Sequence, residues 1–421
     1  MEIHQSRHGM PLTINKMHTA KKRLTDGPST VVRPRFAFPL MLAALLAFPW
    51  ATPAQPAVPE LGPEVSFRQE VQRAIDRGLA WLQANQNTNG YWSTADHPAL
   101  TALALIAFKG DPQGRYQSAD APWMRRAYAY ILDCRQSDGG IHRTNLANYN
   151  TALSMLALLA ANQPEYDDII RQGRQFLIGL QIDLDQKGKA DNVLDGGIGY
   201  GSRYPHSDMS NTMLALEALY YSRRLARDQA PSAGRDLNWQ AAIQFIQNCQ
   251  NLPGANRQDW VSDDPKDKGG FVYFPGQSMA GSWTNAATGR VALRSYGSIS
   301  YAGMLSYIYA DLKREDPRVQ AVYDWLRQNY TLEENPGMGP QGLFYYFHTM
   351  SKALTAYDVK RLVLADGRQV NWRKELALKL LNLQQRDGSW LNDQHGRWWE
   401  KDPALVTAYA VHALELIYRG I

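Results

Sequence analysis

The sequence predicts an all-α protein, an α/α toroid built as a double ring of about six helical hairpins with the apolar helices inside. Two observations carry this expectation. First, a motif recurs in which a large apolar residue is followed five positions later by Gln and then by a Gly/aromatic turn. It stands at Trp81/Gln86, Ile131/Gln136, Phe176/Gln181, Phe245/Gln250 and Leu380/Gln385, and a weaker copy at Trp325 has Tyr330 in the Gln position. Second, a small, strongly apolar stretch follows the first, second, third and last copies. Self-similarity at this interval marks a repeat architecture, so the 421 residues read as one domain rather than the two or three that length alone suggests.

In the first hairpin, Val71, Ile75, Leu79 and Leu82 recur three or four apart, the period of a helix with one buried stripe. Asn89-Gly90 ends that helix, because both residue types tolerate positive φ. The next segment, 99–106, is apolar nearly all round and is expected to be buried on most of its surface. The same second-helix character returns at 150–158, 211–216 and 405–410. Amphipathic helix, turn and apolar helix make one hairpin, and six of them can close a ring.

The first copy reads Arg77-Gly78-Leu79-Ala80-Trp81-Leu82, then Gln86, then Gly90-Tyr91-Trp92; the last reads Gln385-Arg386-Asp387-Gly388-Ser389-Trp390. This motif resembles the repeat of squalene/hopene cyclases and of protein prenyltransferase β subunits. The resemblance covers about residues 70–418 and implies a toroid with a central cavity. A fold of this kind hosts many activities, so it says less about chemistry.

Both families imply reactive groups that can be sought by position. The cyclases resemble one another at Asp-x-Asp-Asp-Thr, whose central Asp protonates the substrate. The best match is Asp208-Met209-Ser210-Asn211-Thr212, with Ser210 and Asn211 where the strong acid would stand. Asp208 is retained as a catalytic candidate, and its competing role is helix capping. Asp or Asn also precedes other inner helices at Asp96, Asn148 and Asp402, where a side-chain oxygen can accept backbone N–H bonds. The prenyltransferases resemble each other in an Asp-x-Cys pair and a later His on zinc. Overlaying Gly269-Gly270-Phe271 puts Tyr296 and Ser298 at the first two positions and leaves His348 as the third. Without the thiolate a lone His does not hold zinc, so no metal and no cofactor is expected.

Lys and Arg number 45 against 40 Asp and Glu, but residues 1–54 hold seven of the bases and two of the acids; subtracting these leaves 38 of each. A neutral body argues against nucleic acid as a partner. Arg33 and Arg35 precede an apolar run over 36–49, and Thr52-Pro53-Ala54 offers a cleavage site of small residues. This is the pattern of a secretory signal, with an uncleaved N-terminal anchor as the rival. The expected organisation is a leader over 1–54, a linker over 55–69 and a single toroid over 70–421, exported to a periplasmic or extracellular site with possible envelope or membrane-surface association. Cys134 and Cys249 fall in the second and fourth hairpins, which are not neighbours in a ring, so no disulfide is expected.

The rim offers the remaining candidates. Loops 182–207 and 251–295 exceed the usual connection length and carry Tyr200, Tyr204, His206, Trp260, Tyr273, Trp283 and Arg294. Inner-helix N-termini at the same end would add partial positive charge suited to an anionic group. Phe344-Tyr345-Tyr346-Phe347-His348 opens the fifth inner helix, an aromatic stripe that serves either core or ligand wall, with His348 as its titrating group. Glu400 and Asp402, ahead of the sixth inner helix, read either as a working carboxylate pair or as a helix cap beside a solvated Glu. Asp208, His348 and Glu400 are therefore nominated as catalytic, and Tyr296, Tyr345, Tyr346, Arg294 and Trp283 as ligand contacts. Three readings stay open: a cavity protein acting on or binding an isoprenoid or other apolar molecule, a non-catalytic extracytoplasmic scaffold, and a carbohydrate-active toroid.

Overall fold

The computed structural model describes residues 63–118, 120–201, 206–227, 236–286 and 288–421. The leader, most of the linker and Tyr204 lie outside this set. Glu60–Ile421 form one compact unit. Its helices are α1 (Pro63–Ala84), α2 (Pro98–Gly110), α3 (Pro122–Asp133), α4 (Ala147–Ala161), α5 (Asp167–Gly179), α6 (Met209–Tyr221), α7 (Arg223–Arg227), α8 (Trp239–Asn248), α9 (Gly297–Tyr309), α10 (Pro317–Gln328), α11 (Leu343–Ala356), α12 (Trp372–Leu383) and α13 (Pro403–Tyr418). Two short antiparallel ribbons decorate the connections: β1 (Ser282–Thr284) with β2 (Val291–Leu293), and β3 (Leu362–Val363) with β4 (Gln369–Val370).

The ring closes. α2, α4, α6, α9, α11 and α13 pack each on the next, and α13 packs back on α2. These are the helices buried on most of their surface; α9, for example, is buried from Gly297 through Tyr307. The amphipathic helices α1, α3, α5, α8, α10 and α12 pack outside them. An all-α toroid is thus the observed architecture.

Each part of the repeat has a physical task. The turn glycines Gly90, Gly139, Gly196, Gly269 and Gly388 all have φ between 82° and 99°. A Cβ on Gly196 would lie 2.0 Å from the Ala241 carbonyl oxygen on α8, and one on Gly388 would lie 2.7 Å from that of Arg77 on α1. The turn is therefore glycine for its dihedral and for close approach to the next outer helix. Gly388 makes that approach across the closing seam. The buried indoles behind the turn, Trp92 and Trp390, donate from Nε1 to the carbonyls of Leu82 and Leu380 at 2.7 and 2.8 Å. A hydroxyl from the following inner helix accepts the amide at this same place: Thr101 from Trp92, Thr151 from Ile141, Thr212 from Ile198, Ser300 from Phe271 and Thr407 from Trp390.

The motif glutamine staples one hairpin to the next in every copy but the second, where Gln136 bonds the Cys134 and His142 carbonyls of its own hairpin. Gln86 Nε2 donates to the Gly90 and Trp123 carbonyls, Gln181 to Gly196 and Asn238, and Gln250 to Gly269 and Arg318. Each bonds its own turn and the start of the next outer helix. In the last copy Gln384, not Gln385, is the staple, reaching Gly388 of its own turn and Ala74 in the middle of α1. The sequence spacing misplaces it by one residue because Leu380 is the counterpart of Leu82, through the shared indole bond, and not of Trp81.

Capping also differs from expectation. Asp208 accepts the Asn211 amide and Asp402 those of Ala404 and Leu405, as a cap should. His97 and Leu146 hold the N-cap positions of α2 and α4 without a side-chain bond, so Asp96 and Asn148 do not cap them. Instead the caps arrive from the next hairpin. Asn150 Oδ1 accepts the Ala99 amide, Asn335 Oδ1 that of Ser298, and Glu400 Oε1 that of Tyr345. The first-turn amides expected to attract an anionic ligand are engaged by neighbouring side chains. Both cysteines are buried and free.

Candidate functional site: the lumen of the inner ring

The inner helices enclose a cavity of about 460 Å³, within the range of small-molecule sites. Its lining comes from the C-terminal halves of these helices. Tyr221, 53% exposed, and the exposed Arg224 stand at its edge. The cavity therefore opens at the end of the ring opposite the long motif loops.

The two sides of the lumen differ. Leu103 and Ile106 of α2, Leu153, Leu156 and Leu159 of α4 and Leu416 of α13 make an aliphatic wall. Glu217 of α6, Tyr309 of α9, His348, Lys352 and Thr355 of α11 and His412 of α13 make a polar one. Helical period explains the second wall, since residues 345, 348, 352 and 355 share one stripe of α11 and 409, 412 and 416 one stripe of α13.

Lys352 Nζ lies 2.5 Å from the carboxylate of Glu217, and the Tyr309 hydroxyl donates to Oε1 of the same group at 3.2 Å. His348 Nε2 and His412 Nδ1 are 3.0 Å apart, so one imidazole donates and the other accepts. His348 Nδ1 is buried without a partner. Burial, with Lys352 and then His412 nearby, holds His348 well below the usual imidazole range. Burial, with Lys352 and Arg419, lowers His412 to about 3. Both rings are therefore neutral at physiological pH. Deeper in, the His348 ring lies 4.7 Å from that of Tyr409, whose hydroxyl is 3.3 Å from that of Tyr149.

Of the residues nominated from sequence, His348 borders this lumen. Asp208 and Glu400 sit at the opposite end of the inner helices. Burial raises Asp208 to about 7 against the bonds from Asn211, Tyr273 and Ser210. Burial raises Glu400 to about 7 against the Asn392 side chain and the amides of Tyr345, Phe344 and Leu343. Tyr345 and Tyr296 lie in the same buried layer, within electrostatic reach of each other and of Asp208. Tyr346 points away, donating to the Thr331 carbonyl at 2.9 Å. The Arg294 guanidinium lies over the Trp283 ring at 5.7 Å and pairs with Asp267 at 3.1 Å, so these two build their own loop. Glu217, Tyr309, Lys352 and His412 went unnamed in the sequence reading. The one signal for them is a lone polar residue inside an apolar helix. Among the described residues no group of three or more His, Cys, Asp or Glu is placed to hold a metal ion.

Ring and lumen together define the class: an α/α toroid with a two-sided internal cavity. No family model matches the chain, and no curated protein matches its sequence. Solved structures do resemble it. The apo type II terpene cyclase MstE from Scytonema superposes with a TM-score of 0.51 at 10% identity, covering 84% of this chain and 99% of that one. An inactive variant of the α-1,6-mannanase GH76A of Salegentibacter, in complex with α-1,6-mannotriose, gives 0.51 at 11% identity, covering 83% and 100%. The GH76 α-mannanase BT2949 of Bacteroides thetaiotaomicron gives 0.50 at 11%, covering 83% and 96%. At these identities the likeness is one of fold.

Proposed function

We propose that this toroid binds a small amphiphilic molecule in its lumen, with an isoprenoid or similar apolar tail along the leucine wall and a polar head against the Glu217, Lys352, His348 and His412 side. The division of one cavity into an aliphatic and a hydrogen-bonding face carries this reading. The terpene cyclase neighbours include complexes with geranylgeranyl dihydroxybenzoate as substrate and with a product, which supports this reading. Binding is favoured over cyclisation because Asp208, the nominated acid, lies at the opposite end of the inner helices, and Glu217, the carboxyl group of the described lining, is engaged by Lys352. Of the nominated catalytic residues, His348 is the one placed to meet the ligand. Export rests on the leader alone.

The test is a titration with cis-parinaric acid, a fluorescent amphiphile, against the wild type and Leu156→Trp, whose indole would fill the lumen. The reading expects saturable binding in the wild type, weakened at least about tenfold by the substitution with an unchanged far-UV spectrum. Equal binding by both proteins, or none by either, would refute it.

A further inference from the structure

We propose that the surface where the last hairpin meets the first, at the end of the ring opposite the lumen mouth, is a carbohydrate-binding site with Trp399 and Trp81 as stacking surfaces and Trp398 bracing the turn that carries Trp399. An open pocket of about 750 Å³ lies between Trp81, Asn85 and Asn87 of the first hairpin and Trp399, Lys401 and Asp402 of the last.

Three features point to a ligand. Trp398 and Trp399 are 40% and 48% exposed, among the largest apolar side chains left in water. They are also consecutive residues at φ 55° and 66°, in the left-handed region that favours Gly and Asn and is uncommon for bulky side chains. A tryptophan pair kept exposed in that conformation is unexplained by packing of the core. Finally, the rings are held in place. Arg397 lies over Trp398 at 4.5 Å, and Trp398 is close enough to Gly342 that a Cβ there would fall 2.9 Å from its ring. Trp399 meets His97 edge-on at 5.1 Å, and Trp81 Nε1 donates to Asp387 at 3.1 Å. Fixed aromatic surfaces bind at small entropic cost.

The surroundings select a sugar over a lipid. Apart from the indoles, the pocket is lined by amide, hydroxyl, carboxylate and ammonium groups, with Pro403 and Ala404 as its aliphatic members. A pyranose matches this pattern. Its ring C–H face carries partial positive charge and stacks on the electron-rich indole face, while its hydroxyls meet planar polar side chains at the rim. A lipid tail laid across the indoles would meet Asn85, Asn87, Lys401 and Asp402. The site is independent of the lumen, and either can fail without the other.

The experiment is calorimetric titration of the purified protein with six-unit oligosaccharides of glucose, mannose, galactose, N-acetylglucosamine and galacturonate, each to about 10 mM. Wild type is compared with Trp399→Asn, a residue that tolerates the left-handed backbone, and with Leu156→Trp. Binding of at least one oligosaccharide is expected, weakened at least about tenfold in W399N and unchanged in L156W, with melting temperatures close to wild type. No binding by the wild type, or equal binding by W399N, overturns the proposal. So does sedimentation with phosphatidylcholine/phosphatidylglycerol vesicles that W399N abolishes while sugars do not bind, which would make the tryptophans a membrane contact.

Discussion

Glu217 and Lys352 stand 135 residues apart in sequence, yet their charged groups meet at 2.5 Å across the lumen, joining α6 to α11. Both side chains are largely withdrawn from water, at 6% and 11% exposure. Removing one partner leaves a buried, uncompensated charge, and this costs more than removing both. Glu217→Gln or Lys352→Met alone should each destabilise the protein by about 3 kcal/mol in urea unfolding, and the double variant should recover part of that loss. Additive losses would show that the two groups do not act as a pair.

The histidine pair gives the stability a pH signature. An unfolded imidazole titrates at about 6.5, whereas burial in the fold pushes His412 down to about 3. Between those values the unfolded chain binds the extra proton. The contribution is therefore full above about pH 6.5 and lost as pH falls, at up to about 1.4 kcal/mol per pH unit for each histidine. Asp208 and Glu400, raised to about 7, act oppositely: their contribution is present in acid and lost as pH rises through 7. The difference between wild type and His412→Gln isolates the imidazole. Its stability profile should be flatter than wild type between about pH 4 and 6.5; parallel profiles would contradict the burial of a neutral His412.

Ring closure was legible in the chain and the lumen chemistry was not. The Gly/aromatic turns and apolar helices repeat, so one copy explains the next, and Gly90 announces what Gly388 does across the seam. Glu217, Lys352 and His412 occur once each, on three different helices, and no local pattern says that their stripes face one space. Glu415 shows why a lone charge in an apolar helix is not enough. It has the same setting in α13, but its carboxylate is buried without a partner and packs at Gly110 instead of the lumen. Glu400 misled for a related reason. Its role as cap of α11 depends on a neighbouring hairpin, which spacing within its own hairpin cannot reveal.

The seam can be stressed at one glycine. Gly388→Ala combines a φ of 99° with a Cβ 2.7 Å from the Arg77 carbonyl oxygen, whereas Gly276→Ala has a φ of 88° and open space around it. Their difference isolates the close approach of the last turn to α1. Gly388→Ala should be the less stable by at least about 2 kcal/mol. Equal effects would mean that this contact does not hold the ring shut.

The leader makes its own prediction. Protein expressed from the full sequence and recovered outside the cytoplasm should begin just after Ala54, as intact mass will show. A chain retaining the apolar run and recovered with membranes would favour the anchor instead.

The central claim is that the lumen holds an amphiphile. Native mass spectrometry of protein purified from a lipid-rich host, with wild type and Leu156→Trp side by side, tests it most directly. The account expects a wild-type adduct that is extracted by organic solvent and absent from the variant. A wild type of bare polypeptide mass, or the same adduct on both proteins, would contradict it.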